Sequence, residues 1–136
     1  MRRLDDLRRF YSILDELARK CVGPRLLSEC TGRMEWPKRG IYFFQEAGEV
    51  RTDTAIGPRI VRVGTHALSA GSQTTLWNRL SQHRGQAKSG SGNHRGSIFR
   101  LLLGTALMDG NEYTIPTWGQ GSHAPKDVRE KEQPLE

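Results

Sequence analysis

Apolar residues recur at intervals of three and four through residues 3–22. Leu4, Leu7, Tyr11, Leu14, Ala18 and Cys21 share one stripe, and Arg8, Asp15, Glu16 and Arg19 lie off it. That period predicts an amphipathic helix that packs on the domain and stops at Gly23-Pro24. Residues 25–38 carry no period, and Trp36-Pro37 breaks any helix there. The pattern then changes to short apolar runs. Gly40 to Phe44 reads as one strand, Gln45 to Pro58 as a polar, turn-rich loop, and Arg59 to Gly64 as a second strand. Together they predict a long-looped antiparallel hairpin.

Hydroxyl-rich residues 69–75 precede a nine-residue helical pattern, Leu76 to Arg84, with Gly85 placed as its C-cap. Residues 86–96 are rich in glycine and serine and basic, which predicts a flexible loop. Ser97 caps a second helix, Ile98 to Met108, whose apolar residues cover most of its circumference, so it is expected to be the most buried helix. Tyr113, Ile115 and Thr117 alternate weakly, and Pro116 restricts them to an edge strand or extended connector. Gly119 to Pro125 reads as loop, and Asp127 to Glu136 as a charged stretch, a frayed helix start or disorder. The expected fold is α/β, a small antiparallel sheet flanked by helices. It divides into an N-terminal helix and connector (1–38), a core (39–118) and a charged tail (119–136).

Composition narrows the class. A chain of 136 residues, 35% apolar and 26% charged, is long enough to fold as one domain. No run approaches the about 18 to 20 apolar residues of a membrane helix. Met1-Arg2-Arg3 leads into acids rather than an apolar segment, so a cytoplasmic protein is expected. The net charge of +6, carried mostly by arginine, favours a phosphate-bearing partner. Cys21 and Cys30 have neither disulfide density nor zinc spacing and read as free thiols.

Candidate chemistry sits on the first of the two later helices. Leu76, Arg79, Leu80 and His83 fall at i, i+3, i+4 and i+7, which turns an arginine and a histidine towards the face that packs on the sheet. An inward arginine needs an anion, either a structural carboxylate or a phosphate in a cleft. Lys88, Asn93, His94 and Arg95, set among glycines, suit a phosphate backbone. His66 and His94 have no acid or cysteine at ligand spacing, and His123 has only loop neighbours.

Gly40-Ile41-Tyr42, then Arg62-Val63-Gly64, then the helix Leu76-Trp77-Asn78-Arg79-Leu80-Ser81-Gln82-His83 resemble, in order and spacing, the GIY-YIG nuclease superfamily. The resemblance runs from Gly40 to Leu107. It implies a metal-dependent endonuclease that cuts a phosphodiester with water, held to a divalent metal, usually magnesium, by one glutamate. By position Tyr42 would help activate the nucleophile, Arg79 would stabilise phosphoryl charge, and His83 would orient water or the leaving oxygen. Arg62, Arg84, Lys88, His94 and Arg95 are the expected contacts to nucleic acid, with DNA first.

Two departures from the family pattern matter. Arg62 stands where the family has a second tyrosine; it cannot act as a base but can grip phosphate. The metal glutamate has no clear position. Glu130, Glu132 and Glu136 are candidates if Tyr113 to Thr117 is the third strand; otherwise strand and glutamate are expected beyond Glu136, in a longer chain. A non-catalytic nucleic-acid-binding domain on the same scaffold is the alternative, and a partner-docking module using the N-terminal helix is a third.

Overall fold

The computed structural model describes residues 2–66, 69–86, 88 and 92–136. Among the described residues four α-helices accompany a two-stranded antiparallel sheet, so the domain is α/β. The elements run α1 (Arg2–Lys20), β1 (Gly40–Val50), β2 (Pro58–His66), α2 (Leu76–Arg84), α3 (Ile98–Gly110) and α4 (Lys126–Glu132).

The strands are longer than the apolar runs suggest. β1 continues through polar Gln45 to Val50, where the register shifts so that Gln45 lies opposite Ile60 and Val50 opposite Pro58. The register sets Tyr42 opposite Gly64, Phe43 opposite Val63 and Phe44 opposite Arg62. Side chains alternate across a strand, so Tyr42, Phe44 and Arg62 share one face. Gly64 belongs there for a steric reason: a Cβ at position 64 would overlap the ring and hydroxyl of Tyr42.

Helix α1 packs on the hairpin. Buried Tyr11 accepts the Ile60 amide at 3.1 Å, and the Arg51 guanidinium stacks over its ring at 3.9 Å while forking onto both oxygens of Asp53. Phe10 meets Phe43 on the same side. Helix α2 lies against the opposite face and closes a small core of Tyr42, Leu76 and Leu80, flanked by Leu27, Trp36, Phe44 and Trp77. Thr75 and Asn78 form a reciprocal capping box at its start, and Gly85, at φ 73°, ends it.

One expectation is corrected and two are narrowed. Helix α3 is not the most buried: Ile98, Leu102, Leu103 and Leu107 are exposed, and its one buried residue is Gly104. Trp118 packs on that glycine, where a Cβ would overlap the indole. Of the edge strand or connector expected for Tyr113 to Thr117 the structure has the connector: 113–115 form no regular element and a turn begins at Pro116, with Ile115 and Trp118 bonded back to α3. Of the two forms expected for the charged tail, a helix start or disorder, the structure has the helix, α4, with Glu132 buried against Arg95. Of the loop expected over residues 86–96, positions 87 and 89–91 lie outside the described residues.

Candidate active site

Strand alternation and helical period deliver two side chains to one point. Tyr42 comes from β1 and His83 from the last turn of α2, and the phenol oxygen lies 2.8 Å from His83 Nε2. Both are buried, at 7% and 6% exposure. The other ring nitrogen, Nδ1, lies 2.8 Å from the hydroxyl of Ser97, the N-cap of α3. Aromatic rings enclose the imidazole: Phe44 and Phe99 meet it edge-on at 5.5 and 6.0 Å, and Tyr42 is tilted against it at 5.5 Å.

Burial in this aromatic box disfavours a charged imidazole. It is the largest reason that the His83 pKa is lowered from 6.5 to about 4. The positive field of Arg79, Arg62 and Arg100 acts in the same direction. His83 is therefore neutral at pH 7 and carries one ring N–H, so it donates one of its two hydrogen bonds and accepts the other.

Those arginines differ in how they are held. Arg100 donates from Nε to the carbonyls of His83 and Gln82 at 3.1 and 3.3 Å, which satisfies the C-terminal end of α2. Arg79 is half-exposed and, among the described residues, reaches two neutral acceptors, Gln82 Oε1 at 3.0 Å and the Gly96 carbonyl at 3.2 Å. The Arg62 guanidinium sits over the Phe99 ring at 5.0 Å, with its buried Nε lacking a hydrogen-bond partner among the described residues. Neither Arg79 nor Arg62 has a carboxylate partner among the described residues. Two guanidinium groups without a described carboxylate partner thus lie near the Tyr42–His83 pair, and their positive field acts on the imidazole.

The remaining expected contacts are placed elsewhere. Arg84 faces the connector, donating to the Cys30 carbonyl at 2.6 Å and stacking over Trp77. It also lines a groove of about 490 Å³ with Ser81, Gln82, Gln86, Asn93 and Gly96, the last of these an Arg79 acceptor. Lys88 is exposed. Arg95 is committed to the fold: its fork grips both oxygens of Glu132 at 2.7 and 2.9 Å and the Gln120 carbonyl. That hydrogen bonding holds the Arg95 pKa up and the Glu132 pKa down. His94 is buried and stacked on Trp118, with Nδ1 at 2.7 Å from Glu136 and Nε2 accepting the Gly119 amide.

His94, Glu132 and Glu136 form the one His/acid group compact enough to suggest a metal among the described residues. Its donors do not fit one. Both Glu132 oxygens face Arg95, the His94 nitrogens are taken by Glu136 and Gly119, and Glu136 Oε1 accepts two N–H groups from His94. A cation there would displace these bonds and meet the Arg95 charge. No described carboxylate makes a hydrogen bond or ion pair with Tyr42, His83, Arg62 or Arg79.

Ser97, Phe99 and Arg100 belong to the site although sequence reasoning gave them only a helix. Ser97 was legible as a cap; nothing in its spacing sets it beside a histidine fourteen positions earlier. Across the whole chain, residues 1–136, the sequence matches the family model of the GIY-YIG domain. No curated protein and no solved structure matches it.

Proposed function

The chain belongs to the GIY-YIG domain family, and from that membership and the geometry around Tyr42 we propose that it is an endonuclease domain hydrolysing phosphodiester bonds of nucleic acid, DNA first. The observation that carries this reading is the buried Tyr42–His83 hydrogen bond at 2.8 Å beside two arginines that have no carboxylate partner among the described residues. A phosphodiester brings the negative charge that Arg62 and Arg79 lack, and the planar forks suit its oxygens.

In this reading Arg79 is the principal stabiliser of phosphoryl charge, free to leave its two neutral acceptors for a stronger one. Arg62, in the position of the family's second tyrosine, grips phosphate and cannot move a proton. Tyr42 and His83 act as a pair that takes the proton of the attacking water, with the Phe44 and Phe99 rings excluding bulk solvent. A divalent metal, magnesium first, belongs to the proposal through family membership; it would supply Lewis-acid polarisation of the phosphate. Exposed Lys88 and the groove-lining Arg84 are placed to follow the backbone away from the scissile bond.

The test is incubation of the purified protein with single- and double-stranded DNA and RNA, with magnesium, manganese or chelator. Metal-dependent cleavage supports the proposal. Salt-sensitive binding with no cleavage in either metal instead supports the non-catalytic binding domain. That second reading is favoured by one observation, that no described carboxylate engages the Tyr42–His83 site.

A further inference from the structure

We infer that a cavity between the α1–β1 connector and the sheet receives an unpaired nucleobase stacked on Trp36. The substrate is then nucleic acid with an unstacked nucleotide beside the cut, an inference that rests on the proposed nucleic-acid reading. The cavity, about 450 Å³, is lined by Arg25, Leu27, Trp36, Tyr42, Phe44 and Leu80 among others. That volume is within the range of small-molecule sites, and aromatic and aliphatic walls suit a flat heterocycle. Tyr42 gives the position its meaning, because the residue that lines the cavity also carries the hydroxyl bonded to His83. A base held there belongs to a nucleotide close to the phosphate that Tyr42 serves.

Trp36 suits a stacking platform because its ring is held in place without being sealed. Trp77 of α2 stacks on it at 5.2 Å, and its indole N–H donates to the Thr31 carbonyl at 2.8 Å, so its orientation is set before a ligand arrives. The indole is half-buried, and the Arg25 guanidinium stands over it at 5.8 Å, near the outer limit of a cation–π contact. Arg25 is exposed and without a carboxylate partner among the described residues, so it can move from the ring to an incoming phosphate. Arg33, Lys38 and Arg39 are exposed and unpaired in the same sense. Against Glu29 and Glu35, these four cations give the connector a positive field, from which an apolar protein side chain would gain nothing. Glu35, the one carboxylate among the described lining residues, can accept the amino group of a base. A base within a duplex must leave its stack to enter, whereas an unpaired base enters at little cost.

Fluorescence anisotropy with the full chain, in chelator and at one salt concentration, separates stacking from charge. The probes are three labelled DNA duplexes of one sequence: fully paired, with a single-nucleotide bulge, and with the same bulge made abasic. The two bulged duplexes differ only in the unpaired base. Wild type should bind the base-bearing bulge about 5- to 150-fold more tightly than the abasic one, the range for one base–aromatic stack. Trp36→Ala should remove that preference and leave binding of the paired duplex unchanged, and Trp36→Phe should keep most of it. Equal affinity of wild type for the two bulged duplexes overturns the inference and leaves the cavity to an apolar side chain of a partner protein. An undiminished preference in Trp36→Ala overturns it as well. Should Trp36→Ala not fold, the wild-type comparison decides alone. Base-dependent binding without cleavage in magnesium or manganese counts against the endonuclease reading alone, and cleavage without base-dependent binding counts against this inference alone.

Discussion

The Tyr42 hydroxyl and His83 Nε2, 41 residues apart in the chain, meet at 2.8 Å inside an aromatic box. The contact depends on Gly64, directly across the ladder from Tyr42, having no side chain. A glycine on one strand therefore makes room for the phenol on the other.

Gly64→Ala should displace the Tyr42 ring and cost about 1–3 kcal/mol, the range for overpacking a filled site. Tyr42→Phe removes only the hydroxyl and should cost about 0.5–1.5 kcal/mol. Urea unfolding of both variants gives the comparison. A Gly64→Ala protein as stable as wild type would show that the ring is not confined as described.

Arg79→Ala should lower cleavage by about 100- to 1,000-fold, the loss typical of one preorganised transition-state donor. Its two neutral acceptors are a neighbouring side chain and one carbonyl, so stability should change little. Single-turnover rates alongside thermal melting separate the two effects.

His83 links stability to pH. Its pKa is lowered from 6.5 to about 4 by burial first and by the arginines second. An imidazole that resists protonation in the folded state stabilises fully above about pH 6.5, and that contribution is lost as pH falls towards 4. His83→Gln should flatten this part of the profile, measured by denaturant unfolding at stepped pH, whereas Tyr42→Phe should retain it.

Arg95 and Glu132 test the division between fold and nucleic-acid contact. Their side chains are 7% and 1% exposed, and the fork is complete. Glu132→Ala leaves a buried guanidinium unpaired and should cost about 3–5 kcal/mol. Equilibrium unfolding reads the loss; a value under 1 kcal/mol would mean that α4 docks without this pair.

The sequence was most legible where a face repeats. The stripe Leu76, Leu80 and His83 announced a buried helical face because one period governs all three, and Arg79 falls at its half-exposed margin. Helix α3 misled for the converse reason: apolar residues all round imply burial, yet it packs through Phe99, Leu101, Gly104 and Met108 while Ile98, Leu102, Leu103 and Leu107 stay exposed. The tail could not be read from composition, because a buried Glu132 is affordable only opposite Arg95, 37 positions earlier. Ser97 escaped in the same way, a cap whose second contact lies on another helix.

The central claim is that Tyr42, bonded to His83 and flanked by uncompensated arginines, cleaves phosphodiesters. It is tested most directly by single-turnover cleavage of labelled DNA in magnesium or manganese by wild type and Tyr42→Phe, matched for DNA binding at one salt concentration. The account predicts metal-dependent cleavage by wild type and a loss of about 100-fold or more in Tyr42→Phe with binding unchanged. Equal cleavage by the two proteins would contradict it.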